Sequence, residues 1–129
     1  MLILALALTG LAALVHVFIF YLESLAWTGP LARRTFGTGS EQDAAPLAEL
    51  AFNQGFYNLF LAIQVLVGIG LHLGGQETVG TTLVLAGAGS MVTASLVLLV
   101  SSPDKRGAAL KQGAAPALGV IALVASLVA

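Results

Sequence analysis

The sequence predicts an all-α polytopic membrane protein, a four-transmembrane-helix antiparallel bundle forming one domain over residues 1–129. Three observations carry this. First, the 129 residues are 58% hydrophobic and only 9% charged, with a mean hydropathy of +0.99, too apolar for a soluble domain of this size. Second, four apolar runs, Leu2 to Trp27, Leu47 to Leu73, Thr78 to Ser101 and Ala108 to Ala129, each reach the ~20 residues a helix needs to cross a hydrocarbon core. Third, none of the runs shows strand alternation, and a lipid-embedded backbone otherwise satisfies itself only as a helix.

Composition also removes several functions. A net charge of −1 and a single Arg33-Arg34 pair leave no basic face, so no nucleic-acid partner is expected. The absence of cysteine removes disulfides, thiolate nucleophiles and thiolate metal sites. No cofactor motif appears, and no metal site is expected, because His16 and His72 belong to opposite halves of the bundle. No serine has a His and acid partner that would support nucleophilic catalysis.

Helix 1 begins almost at Met1. It lacks the basic n-region of a signal peptide and runs beyond the usual 7–15 apolar residues, so it is expected to be retained as a span. Trp27 is expected to anchor its end at the membrane interface, where Thr28-Gly29-Pro30 breaks the helix. Residues Leu31 to Pro46 form the longest connection, the one segment able to make a lid or a short surface helix.

Helix 2 is the most polar span, with Glu49, Asn53, Gln54, Tyr57, Asn58 and Gln64 before His72 and the turn at Gly74-Gly75. Helix 3 carries Ala86, Ser90 and Ala94 in register, a small-residue seam suited to a neighbouring helix in the bundle or in a homo-oligomer. Helix 4 holds Pro116, which predicts a kink, because a helix starting there would be too short to cross. All five basic residues lie in or beside the connections 1–2 and 3–4. By the positive-inside rule both connections face the cytoplasm and both termini face outward.

Within helix 1, His16, Phe20, Glu23 and Trp27 share roughly 60° of arc at 100° per residue. Ionisable groups at membrane depth cost several kcal/mol unless paired or hydrated, so this stripe should face helices or a wet cavity. Counted from Trp27 and Leu47, His16 and Asn58 lie at equal depth, with Glu23 and Gln54 nearer the surface. Gln54 and Asn58 form one line on helix 2, and Asn53, Tyr57 and Gln64 form its neighbour, a polar arc of roughly 140°.

Each residue also has a plainer role. Membrane-embedded Asn, Gln and His often only bond across helices, at about 0.6 kcal/mol each, which suits Gln64. His72 is best placed at the outer interface, Glu41 and Glu49 are solvated charges, and Glu23 is near enough to Trp27 to snorkel. His16, Glu23, Asn53, Gln54, Tyr57 and Asn58 together are the candidate ligand-binding or proton-relay site.

These residues carry a resemblance. The pattern His16-x6-Glu23-x3-Trp27, then Asn53-Gln54-Gly55-Phe56-Tyr57-Asn58, then Gln112-Gly113 and Pro116-Ala117, resembles the small integral membrane proteins grouped as domain of unknown function 1304. The resemblance spans essentially the whole chain. It implies a four-helix inner-membrane protein and marks His16, Glu23, Trp27, Asn53, Gln54, Gly55, Tyr57 and Asn58 as recurrent positions, and it implies no activity.

Three functions therefore remain open from the sequence. The first is binding or proton-coupled transport of a small molecule by His16 and Glu23 with the helix 2 amides. The second is a membrane-embedded lipid or isoprenoid enzyme, isomerase-like, using Glu23 or His16 as acid and base. The third is a structural membrane subunit whose polar groups only lock the bundle.

Overall fold

Four long helices account for most of the chain in the computed structural model, which describes all 129 residues. Helix α1 spans Leu2–Phe20 and continues through a π-helical turn, Tyr21–Leu25; two short helices follow, α2 (Pro30–Phe36) and α3 (Glu41–Ala44). A 3₁₀ turn, Ala45–Leu47, leads into α4 (Ala48–Leu73), then α5 (Glu77–Ser101) and α6 (Arg106–Val128) complete the chain. Each of the four long segments is long and apolar enough to cross a membrane. The long helices pack as a ring in chain order, α1 on α4, α4 on α5, α5 on α6 and α6 back on α1.

Small residues make this packing. The core holds Ala5, Ala12, Ala13, Ala62, Ala88 and Ala122, while Leu14, Phe60, Ile63, Ile121 and Leu127 point outward. An apolar exterior around a core of small side chains suits lipid, where association rests on close backbone approach rather than on hiding hydrocarbon from water. Glycines mark the tightest crossings. A Cβ at Gly119 would lie 2.6 Å from Thr9 Cγ2, and one at Gly87 would lie 2.7 Å from Val65 Cγ2.

Helix α5 turns a different seam inward from the one its spacing suggests. Gly80, Val84, Gly87, Ala88, Met91 and Ser95 are buried, whereas Ala86, Ser90 and Ala94 lie on the exposed side. Within the chain, the first set is the packing seam. Ser90 needs no partner for its hydroxyl, which donates to the Ala86 carbonyl of its own helix at 2.7 Å.

Pro116 lies well inside α6, buried, which removes the alternative of a helix starting there. Helix α6 begins at Arg106 after a 3₁₀ turn, Pro103–Lys105, so Lys111 and Gln112 fall on its second turn. Lys105 Nζ donates to the Phe36 carbonyl at 3.2 Å, tying the 5–6 connection to α2. Arg33, Arg34, Lys105, Arg106 and Lys111 therefore gather at one end of the bundle, opposite the α4–α5 turn and both termini.

Candidate functional site

The π turn at Tyr21–Leu25 is where the site begins. Its i→i+5 bond, Ala26 N–H to the Tyr21 carbonyl at 3.0 Å, inserts one extra residue into the turn and so changes which way the following side chains point. Three contacts with α4 meet there. Ser24 Oγ donates to the Phe52 carbonyl at 2.8 Å, Asn58 Nδ2 donates to Glu23 Oε2 at 2.8 Å, and Gly55 packs against Ser24 and Glu23. A Cβ at Gly55 would collide with Ser24 Oγ and lie 3.1 Å from Glu23 Cβ, so glycine there lets the two backbones meet. Phe56 secures the same crossing, with its ring 5.1 Å from that of Phe20 and 5.0 Å from that of Phe52.

Glu23 therefore bonds to Asn58 rather than to a residue at its own counted depth. Helical side chains lean toward the N-terminus of their helix. On α1 that tilts Glu23 inward from the basic end, and on antiparallel α4 it tilts Asn58 back toward that end. With Gly55 level with Glu23 and Ser24, the two side chains close the remaining turn from opposite directions. Asn58 Nδ2 also lies 3.2 Å from the Gln54 carbonyl.

His16 lies about two turns deeper, only 2% exposed. Its Nδ1 is 2.9 Å from the Ala12 carbonyl. A carbonyl only accepts, so Nδ1 carries the proton and Nε2 of the neutral ring keeps its lone pair. That second nitrogen has no bonding partner among the protein's own groups, and the ring lines a cleft.

The cleft has a volume of about 1040 Å³ and draws on all four long helices. Its polar wall is His16, Glu23, Gln54, Tyr57, Asn58 and Gln112. Its apolar wall is Val15, Ile19, Leu22, Leu61, Val97 and Leu98. Arg34, Lys105 and Lys111, with Asp104, stand at the basic end, where residues 34–37 of α2 also contribute. At the other end lies a core cluster of Ala12, Ala13, Ala62, Val65, Ala88 and Met91, which adjoins the lining residues along α1, α4 and α5, with Ala115 of α6 packed against it, and closes the floor.

Of the residues singled out from the sequence, the structure brings His16, Glu23, Gln54, Tyr57 and Asn58 to this one cleft. Asn53 is not among its lining residues and sits exposed on another face of α4. Trp27 lies beside the 28–47 connection: its indole N–H donates to the Ala44 carbonyl at 2.8 Å and its ring packs, tilted by 37°, against Phe36 at 5.4 Å. Gln64 is half-buried one turn below Leu61, and His72, at the far end, has Nδ1 3.0 Å from Thr81 Oγ1. No three His, Cys, Asp or Glu side chains come together as a set that could hold a metal.

Sequence reasoning missed the basic rim and Ser24. Arg34, Lys105 and Lys111 were read only as orientation signals, although Lys111 and Gln112 so close to the start of an apolar span were a cue to a polar mouth. Ser24 left no cue, because its role depends on the π turn.

Fold and site together define a class: a four-helix protein of membrane character with an ionisable, half-open cleft at its basic end. The chain matches the family described as protein of unknown function (DUF1304) over residues 10–124, and it belongs to that family. No curated protein and no solved structure matches it.

Proposed function

We propose that the protein binds a small amphipathic molecule in the basic-end cleft, with His16 and Glu23 exchanging protons with that molecule or with water beside it. The observation that carries this reading is one cleft whose lining joins His16, bonded only through Nδ1, and the Glu23–Asn58 pair to an apolar wall of Val15, Ile19, Leu22, Leu61 and Leu98. A bundle needing polar groups only as a lock would pair each of them with a neighbouring helix and leave no space between. Ligand sites are concave, mostly apolar and furnished with a few convergent polar groups, at roughly 300–1,000 Å³, and this cleft is of that kind.

A passage through a single chain has less support. The alanine and glycine packing beyond His16 would have to open for anything to cross, so proton-coupled transport requires a motion of the far half of the bundle. The enzyme reading is favoured by one observation, a His16 ring that holds its Nδ1–H on the Ala12 carbonyl and lines the cleft with no bond to its other nitrogen. An isomerase-like step on a lipid or isoprenoid would use that nitrogen as base and the Glu23 carboxyl as acid.

In this reading the protein lies in the inner membrane with its two basic connections in the cytoplasm, so the cleft opens near the cytoplasmic surface. Copies pair through the exposed Ala86, Ser90 and Ala94 face, which ends at the cleft beside Ala94.

Calorimetric titration of the purified protein in a nonionic detergent with twelve-carbon amphiphiles (an alcohol, a carboxylate, an amine and a phosphate) tests it. Saturable one-site binding of at least one of them is expected, abolished by Leu98→Trp, which fills the cleft, and altered at least threefold by Glu23→Gln. The same Glu23→Gln protein in liposomes, with both binding and proton-coupled flux unchanged, would contradict the reading.

A further inference from the structure

Three of the chain's five basic residues, Arg34, Lys105 and Lys111, line this one cleft, and they come from α2, the 5–6 connection and the second turn of α6. Asp104 is the only acid among them at that end; Glu23, the other acid on the lining, is engaged with Asn58. Interfacial basic residues in membrane proteins commonly just meet lipid headgroups on the outside. Here Arg106 supplies an internal comparison: it belongs to the same end, yet it is absent from the lining, and its Nε donates to the Leu99 carbonyl at 3.3 Å.

Resting on the cleft-binding reading above, we propose that the cleft's ligand is an anionic amphiphile, a phosphate ester of a single hydrocarbon chain. Its phosphate sits among Arg34, Lys105 and Lys111, and its chain lies along Ile19, Leu22, Leu61 and Leu98. Phosphate recognition by Arg is forked and directional, while Lys acts as a mobile point charge, so one Arg and two Lys suit a dianionic head at a partly hydrated rim. An amine head would meet three cations at this rim, and an uncharged alcohol would leave them unused.

The geometry then assigns the acid and base. With the head at the rim, Glu23–Asn58 and the His16 Nε2 lie successively deeper, beside the first carbons of the chain rather than beside the phosphate. The ligand therefore carries its polar or unsaturated group near the head, where these residues reach it. Glu23 also orders the ligand: a reversed molecule would place its phosphate against that carboxyl group, away from the three cations.

The test uses the full chain in nonionic detergent with dodecyl phosphate, dodecanol, inorganic phosphate and a short-chain phosphatidic acid. Trp27, the single tryptophan, packs against Phe36 of the cleft wall and reports occupancy by its emission, with calorimetry as an independent readout. Dodecyl phosphate is expected to bind at least tenfold tighter than dodecanol, and inorganic phosphate is expected not to displace it at equal concentration. Arg34→Gln and Lys111→Gln, both at exposed positions, should each weaken dodecyl phosphate about tenfold and leave dodecanol unchanged. Arg106→Gln removes the same charge outside the cleft and should stay within twofold of the parent.

Displacement by phosphatidic acid supports the proposal and identifies a membrane lipid as the source of the head; displacement by inorganic phosphate alone overturns it. Equal binding of dodecanol and dodecyl phosphate, or equal weakening by all three substitutions, also overturns it while leaving the cleft-binding reading intact. If none of the amphiphiles binds, that reading falls first.

Discussion

Asn58 and Glu23 show how a single half-buried pair sets a register. A hydrogen bond between helices in a membrane contributes about 0.6 kcal/mol on average and up to about 1.7. A double-mutant cycle of Asn58→Ala with Glu23→Ala, followed by reversible unfolding in mixed micelles, should return a coupling within that range, at its upper end because the acceptor is a carboxyl group. A coupling of zero would mean that the 2.8 Å contact contributes nothing. Gly55 is the more sensitive position. In Gly55→Ala the new methyl meets Ser24 Oγ, and overpacking of this kind costs roughly 1–3 kcal/mol, so the melting temperature should fall while Gly89→Ala, with open space around it, should leave it unchanged. That Glu23 turns toward helix 2 was legible from the sequence, because a carboxyl among apolar residues has few tolerable directions. Its partner was not. Counting depth assumes side chains that stand square to their helices, whereas Glu23 and Asn58 lean toward each other by a full turn.

At the scale of elements, the 28–47 connection is a cap rather than a loose loop. Trp27 reaches across it to the Ala44 carbonyl, Arg33 Nε bonds the Thr28 carbonyl at 3.0 Å, and Ser40 and Asp43 cap α3 reciprocally. Trp27→Phe keeps a ring against Phe36 and deletes only the N–H. A hydrogen bond is worth about 0.5–1.5 kcal/mol net, so trypsin should cut after Arg33 and Arg34 about fivefold faster in that variant, with the helices otherwise unchanged by circular dichroism. Unchanged cleavage would show that the indole N–H does not hold the cap. The four long helices were legible because lipid demands long apolar runs. The π turn was not, since nothing in Tyr21–Leu25 breaks a helix by itself and the contacts of Ser24, Glu23 and Gly55 that accompany it come from α4. The choice of seam on α5 was ambiguous for a related reason. Small residues occur on two of its faces, and only the positions of α4 and α6 decide which one is buried.

For the whole molecule, the contrast between its two ends is the main physical fact. Toward the termini, alanine and glycine close the bundle; toward the basic connections α1 still meets α4 at Gly55 and α5 meets α6 at Gly113, but beside these contacts larger and polar side chains line an open cleft. Gly113→Val should disturb that arrangement specifically, because a side chain there collides with Ser95, whose hydroxyl donates to the Ala109 carbonyl at 3.0 Å and joins α5 to α6 just beside the cleft. The expected outcome is a fall in stability of about 1–3 kcal/mol together with weaker ligand binding, read by melting and titration. Hydropathy alone could not foretell a half-open bundle, since packed and open helices are equally apolar; the clue was the crowding of polar residues into one half of helices 1 and 2.

In the proposed binding mode, water and ligand reach His16 and Glu23 through the basic-end cleft. The chain has no cysteine of its own, so single cysteines report cleanly. In membranes, Leu98→Cys on the cleft wall should react with a small charged thiol reagent and be protected by dodecyl phosphate, while Val65→Cys in the core and Ile63→Cys on the outer face should stay inert. Leu98→Cys as unreactive as Val65→Cys would contradict the account.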